Sequence, residues 1–105
     1  MANHLRYISD FYCTKCGALG LPVVRDAKHT REPGHLKKIY CPRCRVQTNH
    51  VEIRPFGAYQ KEDFDIEFKY GNFDAEGLRI DPSWKHFTAL IKQKIEQEEK
   101  VNEDV

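Results

Sequence analysis

Short runs of aromatic and β-branched residues alternate with turn signals in the first half of the chain. Such runs occur at residues 5–12, 21–25, 35–40 and 51–54. Each is bounded by glycine, proline or cysteine, which is typical of strands separated by turns. We therefore predict four short strands, and we assign the polar segment 26–34 to a loop.

The second half has helical signals, although its first segment is ambiguous. Every second residue from Phe64 to Tyr70 is apolar, as in a strand. Phe64 and Phe68 are also four residues apart, however, with acidic residues before them and Gly71 after them. These are helix start and stop signals that suit the helix dipole. We predict a helix over residues 61–70 and keep a strand as the alternative.

The last predicted element is an amphipathic helix. Asp81 is expected to cap it, because Pro82 suits the first helical position. Apolar residues then recur at helical spacing: Trp84, Phe87, Leu90, Ile91 and Ile95. Several glutamates follow and oppose the helix dipole. We therefore expect fraying after about Gln97 and a mobile tail over residues 98–105.

The composition is that of a small, polar, globular protein. The 105 residues are 31% charged and 40% hydrophobic, which indicates about one domain. No apolar run approaches the roughly 20 residues that span a bilayer, and the first residues lack the apolar region of a signal peptide. We expect a cytoplasmic protein without membrane contact, where paired cysteines favour metal over disulfides.

The net charge of +1 is unevenly distributed. Residues 1–54 carry ten Lys/Arg and four Asp/Glu, a balance of +6, whereas residues 55–105 carry seven and twelve, a balance of −5. This division indicates a basic metal-binding half and an acidic half. Four thiolates around Zn²⁺ would lower the charge of the first half to about +4, so it would remain basic.

Two C-x2-C pairs, Cys13/Cys16 and Cys41/Cys44, are separated by 24 residues. Two intervening residues let the backbone fold into a knuckle that directs both sulfurs at one cation. Two knuckles supply four thiolates, which complete a tetrahedral structural site and leave no position for a catalytic water. Gly17 supplies the backbone freedom that a tight turn needs. We predict one structural Zn²⁺ per chain.

Other uses of these residues remain open. Two disulfides would need an oxidising compartment, and a redox role of the second pair would need a helix directly after it. Iron would use the same four sulfurs as zinc. A histidine, among them His29, His35 and His50, would be a ligand only in place of a cysteine.

The framework Cys-Thr-Lys-Cys-Gly followed by Tyr-Cys-Pro-Arg-Cys resembles a zinc ribbon over about residues 5–54. This resemblance implies a fold and a metal but hardly any activity. More loosely, residues 31–38 and 50–54 with the acidic segment 62–68 resemble small ribbon proteins of bacteriophages and mobile elements. That likeness implies an accessory protein of this kind.

Pattern and resemblance together predict a small α+β protein. Its expected form is a zinc ribbon of short antiparallel strands with an appended helical segment and a C-terminal helix. The ribbon is expected to occupy residues 1–57. An acidic helical extension over residues 58–97 is expected to pack on or beside the ribbon, followed by the tail at 98–105.

Basic residues around the predicted site, with tyrosines among them, favour contact with nucleic acid. Cations would bind phosphates and aromatic rings would stack on bases. The candidates for phosphate contact are Lys37, Lys38, Arg43 and Arg45. The expected partner is nucleic acid or a nucleic-acid-processing complex; the alternative is a solvated domain whose tyrosines pack under the ribbon.

The stripe of the last helix favours a second class of function. Trp84, Phe87 and Ile91 would bind a partner protein, as in an adaptor or an inhibitor of a host protein without nucleic-acid contact. The alternative is that the stripe covers the ribbon or packs on neighbouring phenylalanines. The sequence has no catalytic spacing or phosphate-binding glycine loop, so we expect neither enzymatic activity nor a small-molecule substrate.

Overall fold

A computed structural model describes residues 5–27 and 31–103, with side chains as far as residue 99. The fold is α+β, with four antiparallel strands in one curled sheet and two helices, as predicted. The elements are β1 (Arg6–Cys13), β2 (Val23–Asp26), β3 (Leu36–Cys41), β4 (Val46–Ile53), α1 (Lys61–Lys69) and α2 (Trp84–Glu103).

The strand order is β2-β1-β4-β3. The first half of β1 pairs with β2, and its second half pairs with β4, where Cys13 lies opposite His50. On the other side of β4, β3 pairs along its whole length and ends with Cys41 opposite Val46. Because β1 and β3 both run antiparallel to β4, they point in the same direction, and the strand ends that carry Cys13 and Cys41 lie at the same end of the sheet.

The two faces of the sheet have different partners. Side chains alternate along β4, so Val51 and Ile53 share one face and His50 and Glu52 the other. The first face packs against the extension, in a cluster in which Val51, Ile53, Tyr59 and Phe64 are buried, and Tyr12, Leu36, Phe73 and Trp84 pack around them. The sheet and the helical half of the chain therefore share one hydrophobic core.

A buried carboxylate strengthens this junction. Glu67 of α1 is fully buried and accepts hydrogen bonds from the Tyr59 hydroxyl at 2.7 Å and from the Asn72 amide at 2.6 Å. The Arg79 guanidinium donates to the same carboxylate, at 2.7 Å from Nε, and also to the Gly34 carbonyl, which lies just before β3. The charge of Glu67 is thus paired, and the connection between the helices is attached to the sheet half of the molecule.

The helix predicted over residues 61–70 is confirmed, and the strand alternative is wrong. At its start, the Asp63 carboxylate accepts a hydrogen bond from the Gln60 amide at 2.9 Å. Phe64 is buried and stacks on Phe68 one turn later, with ring centroids 5.5 Å apart. This spacing places both rings on one side of α1. Strand β4, in contrast, begins five residues earlier than the predicted segment 51–54.

The predicted cap of α2 at Asp81 is wrong by two residues. Ser83 caps the helix: its hydroxyl accepts from the His86 amide at 3.2 Å, and its carbonyl accepts from the Phe87 amide at 3.1 Å. Asp81 accepts from the Ser83 amide instead and pairs with His86. The hydrogen bond from His86 lowers the pKa of Asp81. The Asp81 backbone amide donates to the side-chain oxygen of Asn72, which holds Asp81 in the connection between the helices. Helix α2 therefore starts after it.

Helix α2 continues to Glu103 rather than ending near Gln97. Glutamate, glutamine and lysine are good helix formers, which offsets the unfavourable dipole. The radius of gyration, 16.0 Å, exceeds the about 13 Å of a compact domain of this length, so the molecule is elongated. Among the described residues, neither helix has the length and apolar character that a membrane span needs. The predicted domain boundaries at residues 57 and 97 stay predictions.

Candidate metal centre

The four cysteines converge at one end of the sheet. Their Sγ atoms all lie within 4.8 Å of one another. Across the two knuckles, Cys13 and Cys44 are separated by 3.9 Å and Cys16 and Cys41 by 3.7 Å. Zn–S bonds of about 2.3 Å place the sulfurs at the corners of a tetrahedron with edges of about 3.8 Å. The spacing therefore suits one tetrahedral ion, and all four thiols are free.

Backbone amides inside each knuckle point at the sulfurs. The Cys16 amide lies 3.5 Å from the Cys13 sulfur, and the Ala18 amide lies 3.4 Å from the Cys16 sulfur. The second knuckle repeats the first contact, with the Cys44 amide 3.4 Å from the Cys41 sulfur. Such donors stabilise thiolates and orient them toward a metal.

Each knuckle closes through a residue with left-handed backbone geometry. Gly17 has φ of 79° and donates its amide to the Cys13 carbonyl at 2.8 Å. Arg45 has φ of 62° and donates in the same way to the Cys41 carbonyl at 2.7 Å. The sequence predicts this tight turn only in the first knuckle, where Gly17 is a glycine. Among the described residues, Arg45 is the one non-glycine residue with positive φ.

Thr48 is a supporting residue that sequence reasoning missed. It is buried, and its hydroxyl lies 3.0 Å from the Cys13 sulfur. The pairing of β1 with β4 places Cys13 opposite His50, and Thr48 lies two residues away on the same face. Cysteine spacing contains no signal for this contact, because the pairing is long-range.

The thiols differ in acidity. Burial acts to raise the pKa of Cys13, but hydrogen bonds from Thr48 and from the backbone of Cys16 and Lys15 lower that pKa to about 7. Burial and the three neighbouring sulfurs raise the pKa of Cys44 to about 12. Four thiolates this close repel one another, so full ionisation needs a cation. Metal binding must therefore release protons.

The histidines are outside the sulfur cluster. His50 is fully buried, and its Nδ1 lies 2.9 Å from the Thr48 carbonyl oxygen. Burial lowers the pKa of His50, which keeps it neutral at pH 7. His35 pairs through Nε2 with the buried Glu52 carboxylate. His29 lies outside the described residues.

The four basic candidates are exposed but do not form one surface. Lys37 and Lys38 are neighbours on β3, so their side chains point to opposite faces of the sheet. Lys38 lies opposite Asn49 on the face that packs against the helices, and Lys37 lies on the other face. Arg43 is inside the second knuckle and Arg45 follows it.

The stripe of α2 is divided between core and surface. The Trp84 ring packs edge-on against Tyr59, with centroids 4.9 Å apart, and its indole N–H donates to the Pro33 carbonyl at 3.1 Å. Trp84 therefore attaches α2 to the segment that precedes β3. Phe87 and Ile91 are half-buried, and Leu90 beside them is 43% exposed.

No protein-family model, curated protein or solved structure matches this chain. The chemistry of the cysteine cluster is consequently the main guide to function. Four thiolates are a donor set that suits Zn²⁺ and also iron, and they supply every ligand of a tetrahedral ion.

Proposed function

We propose that this chain is a non-enzymatic structural-zinc module of the zinc-ribbon type, which acts as an accessory factor through nucleic acid or a nucleic-acid-processing complex. The convergence of the four sulfurs carries this proposal. With every tetrahedral position taken by protein, the ion organises the fold and has no open position for a reacting water. Free thiols at such a site persist in a reducing compartment. We therefore assign the protein to the cytoplasm.

The ribbon type is supported by the arrangement of knuckles and strands. The first knuckle follows β1, and the second connects β3 to β4 in an antiparallel pair. A phage-type accessory role rests on a sequence resemblance to small ribbon proteins of bacteriophages and mobile elements, over residues 31–38, 50–54 and 62–68.

Contact with nucleic acid is supported by exposed cations near the metal centre. Arg45 adds a specific reason, because it holds a left-handed conformation where Gly17 serves in the other knuckle. A residue kept in such a conformation indicates that its side chain has a use. An exposed guanidinium beside the knuckle suits phosphate oxygens.

The test is fluorescence anisotropy of the zinc-loaded chain with labelled DNA and RNA over a range of salt concentrations. Affinity should fall steeply with salt, since each phosphate contact adds about 0.7 to 0.9 to the logarithmic slope. Joint replacement of Lys37, Lys38, Arg43 and Arg45 by glutamate should abolish binding. Absence of binding by the wild type at low salt would reject the nucleic-acid role, and unchanged binding by that variant would reject these four residues as its contacts.

A second candidate function, an adaptor or inhibitor that binds protein, is favoured by the exposure of Leu90 beside half-buried Phe87 and Ile91. If this function is correct, a defined partner protein should co-purify with the chain in the absence of nucleic acid. Its binding should be lost in Leu90→Asp and Ile91→Asp. Retention of the partner by both variants would exclude α2 as the binding surface.

A further inference from the structure

A groove lies beside the first knuckle, on the sheet face that carries Lys38. It has a volume of about 520 Å³. Lys15 of the first knuckle, Lys38 and residues 46–49 line it on one side. Glu76 and Leu78 of the connection between the helices line the other.

Hydrogen bonds, one of them buried, join the two sides of the groove. The Thr14 hydroxyl lies 2.7 Å from the Gly77 carbonyl and 3.0 Å from the Asn49 carbonyl. The Asn49 side-chain amide donates to the Glu76 carbonyl at 2.9 Å. A Cβ atom at Gly77 would lie 2.3 Å from the Thr14 hydroxyl, so this close approach requires glycine. The groove is therefore formed before any ligand binds.

The charges and rings at the groove favour an anionic, aromatic ligand. Lys15 and Lys38 are both exposed, against one carboxylate from Glu76. Tyr40 lies two residues after Lys38 on the same face, is paired with Gln47 of the groove, and is 49% exposed.

Two other tyrosines of the basic half are less available than this one. Tyr12 stacks on Phe64 with centroids 5.3 Å apart, and Tyr7 packs against Phe56 with centroids 4.9 Å apart. The Tyr40 ring, beside the groove, is thus the one of these three best placed for a base.

We propose that this groove binds a single strand of nucleic acid, with phosphates on Lys15 and Lys38 and a base stacked on Tyr40. The inference rests on the proposed function and gives it a place on the molecule. A single strand is favoured because stacking on an aromatic ring needs a base freed from its pair. Of the four basic candidates in the sequence, this assigns Lys38 to the groove and excludes Lys37.

The adjacent lysines provide the sharpest test. Lys37→Glu and Lys38→Glu change the net charge equally, one residue apart, but on opposite faces of β3. We would measure the affinity of zinc-loaded full-length chains for a short labelled single-stranded RNA, the same DNA sequence and its duplex. Lys38→Glu and Lys15→Glu should each weaken single-strand binding about tenfold, and Lys37→Glu by less than about threefold.

Two further variants address the ring and the opposing charge. Tyr40→Leu should weaken binding about fivefold or more, the effect of losing one stacked base. Glu76→Gln should tighten binding, since Glu76 is the one acidic residue among the described residues that line the groove. Zinc content and circular dichroism would verify that each variant folds.

The outcomes separate this inference from the function on which it rests. Equal losses of affinity in Lys37→Glu and Lys38→Glu would overturn the groove as the binding site, but they would still agree with the proposed nucleic-acid binding. Tighter binding of the duplex would overturn the single-strand assignment. Absence of binding by the wild type at about 50 mM salt would reject the proposed function together with the groove.

Discussion

The two knuckles adopt one backbone conformation with different residues, and this difference can be tested by exchange. Left-handed geometry costs a non-glycine residue about 1–2 kcal/mol, whereas glycine loses about 0.5–1 kcal/mol more entropy on folding. Arg45→Gly should therefore leave stability unchanged or raise it by up to about 1 kcal/mol. Gly17→Ala should lower it by about 2 kcal/mol, because the added methyl also lies 3.0 Å from the Phe68 ring.

Urea unfolding of the zinc-loaded variants measures both effects. A loss of stability above about 1 kcal/mol in Arg45→Gly would show that its left-handed conformation is not a source of strain.

The Thr48 hydroxyl should tune the metal site through Cys13. Thr48→Val keeps the side-chain shape but removes the donor 3.0 Å from the sulfur. Loss of such an outer contact weakens metal affinity by about 10- to 100-fold. Competition with a chromophoric chelator measures this affinity. Thr88→Val is the matched control, because among the described residues that buried hydroxyl bonds only to carbonyls of its own helix. Equal affinities in the two variants would contradict the role of Thr48.

Glu52 should contribute a pH-dependent part of the stability. Burial acts to raise its pKa, but hydrogen bonds from Ser9 and His35 and the charge of Arg25 bring the pKa below its usual 4.5. A depressed pKa stabilises the fold above the unfolded value, and this stability is lost as pH falls through the folded value.

We therefore expect Glu52→Gln to be less stable than wild type by about 1–3 kcal/mol at pH 7, and this gap to shrink below pH 4.5. Urea titrations at successive pH values measure it. The comparison is made only at pH values at which both proteins keep their zinc, as verified by metal analysis. A gap that stays constant over the part of this range below pH 4.5 would contradict the assignment.

At the scale of elements, α1 should be held to the sheet half of the molecule by the buried carboxylate of Glu67. Glu67→Gln would leave the Arg79 guanidinium without its partner charge and should cost about 3–5 kcal/mol. Glu62→Gln, on the exposed side of the same helix, should change stability by less than about 0.5 kcal/mol. Chemical denaturation compares them, and similar stabilities would show that the carboxylate does not join the elements.

The sequence was sufficient for elements whose signal is local. The C-x2-C spacing identified both knuckles. Apolar patterns and helix start and stop signals identified the four strands and two helices, although β4 begins five residues before its predicted segment and α2 extends beyond its predicted end. The sequence failed at the start of α2, because Asp81 and Ser83 are both good caps and the choice depends on the bond between Asn72 and Asp81. The same limit hid Thr48 and Glu67, whose partners are brought near by sheet pairing and helix packing.

At the scale of the whole molecule, the metal centre and the helices are coupled through one core. Val51 and Ile53, which belong to the strand beside both knuckles, pack on Tyr59 and Phe64 of the extension. Loss of the ion should therefore disturb α1 as well as the sheet. Amide hydrogen exchange should show faster exchange in residues 61–69 after chelation; protection there that is unchanged would mean that the extension folds by itself.

The central claim is that one divalent ion, held by four sulfurs, organises this fold. Metal analysis and thermal unfolding of the same purified, reduced sample test it most directly. We predict about one zinc per chain and a cooperative transition that disappears on chelation and returns when zinc is added. A metal-free, fully reduced chain that unfolds with the same transition would contradict the claim.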